Sequence, residues 1–110
     1  MTEILYRHFN ERLEKAVKLI DSYPIAYEEM GLFGSFARGR FNNRSDIDIC
    51  LIVKEHPKRD ISGDMRLEAE EMGVDIVYAT REYFNNSDSP FAQNLRRDYQ
   101  LIKHGGNYGE

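Results

Sequence analysis

The run "SDIDICLIV", Ser45 to Val53, constrains the fold more than any other part of the chain. It alternates as a strand does: Ile47, Ile49, Leu51 and Val53 fall on one face, and Asp46, Asp48, Cys50 and Ile52 on the other. Because Cys50 and Ile52 are apolar too, the far end of this strand is expected to be covered on both faces, with only its start open. Such a strand belongs in the middle of a sheet. Asp46 and Asp48 then project side by side at its mouth, about 6.5 to 7 Å apart along the chain. Two carboxylates this close repel each other, and a hard divalent cation such as Mg²⁺ or Mn²⁺ relieves that repulsion. The plainer reading is a solvent-facing polar edge, since Asp-Ile-Asp-Ile is also ordinary strand alternation.

The remainder of the chain bounds what those acids can belong to. With 110 residues, 41% of them apolar, it has room for one domain, 1–110, with a small core. A net charge of −4 and a pI near 5.4 argue against a protein that grips nucleic acid through a broad basic surface, so no direct nucleic-acid binding is expected. Cys50 is the single cysteine, which excludes an internal disulfide. The first twenty residues are broken by Glu3, Arg7, His8, Glu11, Arg12, Glu14 and Lys15, and nothing approaches the roughly 18 consecutive apolar residues of a membrane span. The expectation is a soluble, reduced, cytoplasmic protein with no membrane partner.

Ile4, Leu5, Phe9, Leu13, Ala16, Val17 and Ile20 recur at spacings of three to five, which predicts an amphipathic helix ending before Pro24. Met30 to Phe33 form a short apolar strand that enters Gly34-Ser35, with Ser35 expected to N-cap a short helix through Ala37 and Arg38. Asn42, Asn43 and Ser45 are turn residues. After a polar loop through His56, Pro57 and Gly63, a helix is expected from Met65 to Met72, stopped by Gly73. "VDIVYA", Val74 to Ala79, is the third strand. Beyond the loop Asn85 to Pro90, Ser89 as N-cap and Pro90 at the first helical position predict a final helix to about His104, ended by Gly105 and Gly106, with Asn107 to Glu110 fraying. The order α-β-α-β-α-β-α is that of an α/β or α+β fold, a small mixed sheet of at least three strands with helices packed on it.

Asp75 interrupts an otherwise apolar strand, where a carboxylate is costly unless paired or metal-bound. It would face Asp46 and Asp48 if the two strands are neighbours; otherwise it is a surface residue of an edge strand. The Gly34-Ser35 turn offers backbone N–H groups and a hydroxyl to an anion such as phosphate, although a plain helix cap looks the same. Arg38, Arg40 and Arg44 add cations within nine residues of Ser35, with Arg38 nearest, either on phosphate or bracing the loop.

Together, "GSFARGRFNNRSDIDI" resembles the signature of the DNA polymerase β-type nucleotidyltransferase superfamily, Gly-Ser, ten residues, then Asp-x-Asp, with Asp75 where that superfamily has its third acid. The short chain, the "ARG" after Gly-Ser-Phe and the "SDIDI" resemble most the minimal nucleotidyltransferases, MNT proteins, which are antitoxins of HEPN/MNT toxin–antitoxin pairs. The resemblance implies a polymerase β-like fold and two Mg²⁺ ions held between Asp46, Asp48 and Asp75 and a nucleoside triphosphate. Asp75 would help remove the acceptor's proton, and Gly34 and Ser35 would hold the β- and γ-phosphates. It further implies transfer of AMP from ATP onto a hydroxyl, a tyrosine's, of a partner HEPN-type ribonuclease toxin, with which the chain would form a hetero-oligomer. The chain's small size points the same way, because larger relatives carry a second domain for the acceptor. An antitoxin that acts by binding alone, or a homodimeric enzyme acting on small molecules, remains open.

Nothing in the residues selects the base; Tyr78, Tyr83 and Phe84 are stacking candidates whose plainer role is core. The partner surface is expected around the loop Asn85 to Pro90 with Phe91 and Asn94. The three histidines lack a paired spacing and read as surface or cap residues.

Overall fold

A computed structural model describes residues 2–39 and 46–105, without the side chains of 2–6 and of Phe36. Arg40, Asn42, Asn43, Arg44, Ser45 and the segment from Gly106 lie outside the described residues, as do the side chains of Ile4 and Leu5. The elements are α1 (Thr2–Asp21), β1 (Glu29–Phe33), α2 (Gly34–Ala37), β2 (Ile47–Val53), α3 (Arg59–Glu71), β3 (Val74–Thr80), α4 (Arg81–Asn86), α5 (Pro90–Asp98) and β4 (Gln100–His104). No helix among the described residues is long and apolar enough to cross a membrane.

The sheet has four strands in the order β3-β2-β1-β4. It is mixed: β1 is antiparallel to β2 and to β4, while β2 and β3 are parallel, joined through α3. β2, whose far end is apolar on both faces, is central, as its pattern requires. Its Ile47, Ile49, Leu51 and Val53 face Ala16, Leu19 and Ile20 of α1 and Met65 and Ala69 of α3. Its Cys50 and Ile52 face the other way, onto Ala79 and Leu95 with Tyr83, Phe84 and Tyr99 beside them. Helices thus cover both faces.

Four local expectations are corrected. α3 starts at Arg59, so Gly63 lies inside a helix and not in a loop, and Ser62, Met65 and Ala69 give the helix its buried stripe. The final helix stops at Asp98, and Gln100–His104 is an edge strand on β1, because Tyr99 is extended (φ −62°, ψ 128°) and turns the chain back along the sheet. Gly105 accordingly does not cap a helix: its N–H donates to the Glu28 carbonyl at 2.9 Å. Ser35 lies within α2 instead of capping it, and the entry is made by Gly34 at φ 77°. Arg81–Asn86 adds a helix that Thr80 caps through the Tyr83 N–H at 3.1 Å.

Candidate active site

Strand register brings the acids together. Asp48 stands opposite Phe33 of β1 on one side and opposite Asp75 of β3 on the other. Asp46, two residues ahead of Asp48, is exposed and reaches the same end of the sheet: the point where a Cβ on Gly73 would stand is 3.8 Å from its Oδ1. Gly73 itself sits at φ 73° and gives its carbonyl to the Ile47 N–H at 2.9 Å, which starts the β2/β3 pairing at the acids. Asp75 is exposed on an edge strand, so the expected cost of burying it does not arise. Its place beside Asp48 comes from register alone.

Immediately after Phe33 the chain folds over Asp48. A Cβ on Gly34 would lie 2.2 Å from Asp48 Oδ2, and the residue's φ of 77° is one that only glycine adopts freely. Gly34 therefore sets the backbone against the carboxylate in a way no side chain permits. Burial first, and then the charges of Asp75 and Asp46, raise the Asp48 carboxyl to about 6, with Arg38 opposing them. Two carboxylates and the Arg38 guanidinium thus act on the Asp48 carboxyl at the β2 mouth.

Of the two roles expected for Arg38, the structure gives the bracing one. Its Nη1 donates to Asp98 Oδ2 at 3.0 Å. Asp98, with a side chain only 5% exposed, also accepts from Arg97 Nε at 3.0 Å. Gln100 Nε2 adds a bond to the Ala37 carbonyl at 2.8 Å, so α5 and β4 both hold α2 in place. Sequence reasoning missed Asp98. A signal was present, since an acid in the last turn of a helix opposes the helix dipole and needs cationic partners, here in "LRRD".

The remaining candidates separate. Tyr78 lies on the opposite face from Asp75, packed on the core of α1 and α3. Tyr83 and Phe84 pack with the second core, where Tyr83 Oη meets Ser89 Oγ at 2.9 Å and Phe84 lies edge-on to Tyr99 at 4.8 Å. All three have core roles. Phe91, 45% exposed, packs edge-on to Phe33 at 6.0 Å and so stands next to the Gly34 turn; Asn94 is exposed on the same helix. His8, His56 and His104 are exposed and scattered.

Among the described residues no three His, Cys, Asp or Glu side chains converge closely enough to hold an ion by themselves. The donor set nevertheless fits a hard divalent cation that takes one or two carboxylates and completes its shell with water and phosphate oxygens. The clustered negative charge that raises Asp48 is what such an ion neutralises.

Comparison with known proteins identifies the family and the fold. The nucleotidyltransferase domain family matches residues 11–102, which include every acid of the site and the Gly34 turn. The chain belongs to that family. As a nucleotidyltransferase domain it shares its fold with a chain of a toxin–antitoxin crystal structure with AMP-PNP, at a TM-score of 0.60 and 17% identity over 84% of this chain and 73% of that one. A chain of the toxin–antitoxin MntA-HepT crystal structure matches the domain at a TM-score of 0.56 and 14% identity, over 86% of this chain and 72% of that one. No curated protein matches this chain in sequence.

Proposed function

We propose that this nucleotidyltransferase moves AMP from ATP onto a hydroxyl, a tyrosine's, of a partner HEPN-type ribonuclease toxin, and thereby serves as its antitoxin. The observation that carries the transfer is the pairing of Asp48 with Asp75 beneath a turn at Gly34 that leaves no room for a side chain. Asp46, Asp48 and Asp75 would hold the metal, and Gly34 and Ser35 the β- and γ-phosphates through N–H groups and the Ser35 hydroxyl. Divalent cations there, two Mg²⁺ or Mn²⁺, would offset the carboxylate charge and withdraw electron density from the α-phosphate.

The acceptor oxygen attacks the α-phosphorus, the bond to the β-phosphate oxygen breaks, and pyrophosphate leaves into the Gly34-Ser35 turn. Asp75, on an exposed edge, has the access that a protein nucleophile needs and would take the hydroxyl proton. Arg38 is fixed by Asp98, and its charge would lie on the phosphate side of the turn. AMP-PNP in a structure of similar fold supports adenine, and the toxin–antitoxin assemblies in which that fold recurs support a toxin as partner in a hetero-oligomer. AMP on a ribonuclease would add charge that repels RNA and bulk that blocks its site.

The test is transfer from α-labelled ATP with Mg²⁺ and the purified partner. Label should appear on the partner and vanish with chelator or with Asp48→Asn. Asp75→Asn should remove label while keeping most nucleotide affinity. Label on small molecules alone would overturn the proposal.

A further inference from the structure

Arg12 stands where helical spacing calls for a core residue. Phe9, Leu13, Ala16, Leu19 and Ile20 form the apolar stripe of α1, and Arg12, three residues after Phe9 and four before Ala16, falls within it. A guanidinium in such a stripe keeps its place only if its stem packs and its head finds a polar partner. Arg12 is half-buried, and its head reaches the acid end of the sheet.

There Nη2 donates to the Gly73 carbonyl at 3.1 Å, across 61 positions of sequence. The same oxygen accepts the Ile47 N–H at 2.9 Å, so both of its lone pairs are engaged. Ile47 is the residue between Asp46 and Asp48, and Gly73 precedes Asp75 by two. One oxygen thus ties α1 to the amino ends of both acid-bearing strands. Gly73 is fitted to the contact, since its φ is 73° and a Cβ on it would stand 2.7 Å from Arg12 Nη2 and 3.8 Å from Asp46 Oδ1. The last turn of α3 does not depend on Arg12: the N–H groups of Met72 and Gly73 return to the Ala69 and Glu70 carbonyls at 2.9 and 3.0 Å.

We propose that Arg12 is a positioning residue for the metal site, holding the Asp46/Asp48 pair and Asp75 at the separation that a divalent cation requires. The inference rests on the reading of those three acids as metal ligands. Asp46 and Asp75 act by charge on Asp48, a repulsion that drives β2 and β3 apart where their pairing begins. Arg12 opposes it in two ways, by pinning the Gly73 carbonyl that starts the pairing and by bringing a permanent positive charge to the Asp46 side. Arg38, anchored on Asp98, acts from α2, and Arg12 acts from the strands.

The experiment compares the wild-type full chain with Arg12→Met, which keeps the apolar stem, and with Arg12→Lys, which restores one charged donor. Amide exchange is followed by NMR in chelator, and Mn²⁺ is then titrated, with broadening of the Asp48 and Asp75 amides locating the ion. In Arg12→Met the Ile47 amide should exchange about tenfold faster, the scale of one charged hydrogen bond, while Ile49 and Leu51 deeper in β2 keep their rates. Mn²⁺ affinity should fall about tenfold, as when a group that orients metal ligands is removed, and Arg12→Lys should recover part of it. Gly73→Ala, whose methyl displaces the guanidinium, should weaken Mn²⁺ as well, and adding Arg12→Met to it should cost little more. An Arg12 that only staples helices would leave Mn²⁺ affinity unchanged in the folded variant, and one that merely adds positive charge would raise the affinity when removed. Either result, or faster exchange throughout β2 with no excess at Ile47, overturns the role of Arg12. A wild type that binds no Mn²⁺ at Asp48 and Asp75 overturns the metal reading itself, and the role of Arg12 with it.

Discussion

Gly34 meets two demands at once, a left-handed backbone and close approach to Asp48, and both would be broken by one methyl group. Gly34→Ala is expected to cost roughly 1–3 kcal/mol in a urea melt and to abolish ATP binding, because the carboxylate must move or the turn must open. Asp48 makes the opposite prediction. Its folded carboxyl is raised to about 6, above an unfolded value of about 3.9. Its neutral form thus favours the fold; that contribution is complete below about pH 4 and is lost as pH rises through about 6. In chelator, Asp48→Asn should therefore stabilise the protein by about 1 kcal/mol at neutral pH, after discounting for solvent around a half-buried group, and by nothing below about pH 4. Urea midpoints at the two pH values check this, and added Mg²⁺ should raise the wild-type Tm but not that of the variant. A lower midpoint for the variant at neutral pH would contradict the reading. These acids were legible because Asp-x-Asp at a buried strand's mouth and a lone acid in "VDIVYA" both break the pattern around them. The acid ending "LRRD" signalled that Asp98 needs cations, but its tie to the site was hidden, since its partner Arg38 lies 60 positions away.

The short α2 has little stability of its own, and α5 and β4 hold it from one side through Asp98 and Gln100. Hydrogen bonds from Arg97, and then the Arg97 and Arg38 charges, keep the Asp98 carboxylate below its usual range against the burial that raises it. Its stabilisation is present above the ordinary carboxylate pKa and disappears as pH falls through the depressed one, so this clasp should fail only in acid. Asp98→Asn is expected to cost about 1–2 kcal/mol, the scale of a charged hydrogen bond with exposed partners. It should also lower kcat for AMP transfer about tenfold as Arg38 loses its anchor, with Asp98→Glu recovering part of the loss. An unchanged kcat in Asp98→Asn would remove the positioning role. Leu95, fully buried on α5 itself, should cost about 2–4 kcal/mol on change to Ala without altering the pH profile. The end of α5 could not be read because Leu101 and Ile102 continue a helical spacing after Leu95, and no Gly or Pro stands between Asp98 and His104. Only long-range pairing with Glu29, Met30, Gly31 and Leu32 of β1 decides that this segment is strand.

A mixed sheet in the order β3-β2-β1-β4 puts Asp48 and Asp75 side by side because β2 and β3 run parallel, and it puts Gly34 above them because β1 returns antiparallel. Layering was legible, since apolar residues on both faces of "ICLIV" require cover above and below. Strand direction and order were not, because alternation carries no sign of which neighbour a strand chooses. The arrangement leaves one edge of the acid site open at β3, with exposed Phe91 beside the Gly34 turn, which is the access that a protein acceptor requires. The decisive measurement is the intact mass of the partner toxin after co-production with the wild-type chain or with the Asp46→Asn/Asp48→Asn pair. The account predicts AMP adducts on a tyrosine and loss of ribonuclease activity with the wild type only. Identical partner masses in both cases, with toxicity suppressed in both, would contradict it and leave neutralisation to binding alone.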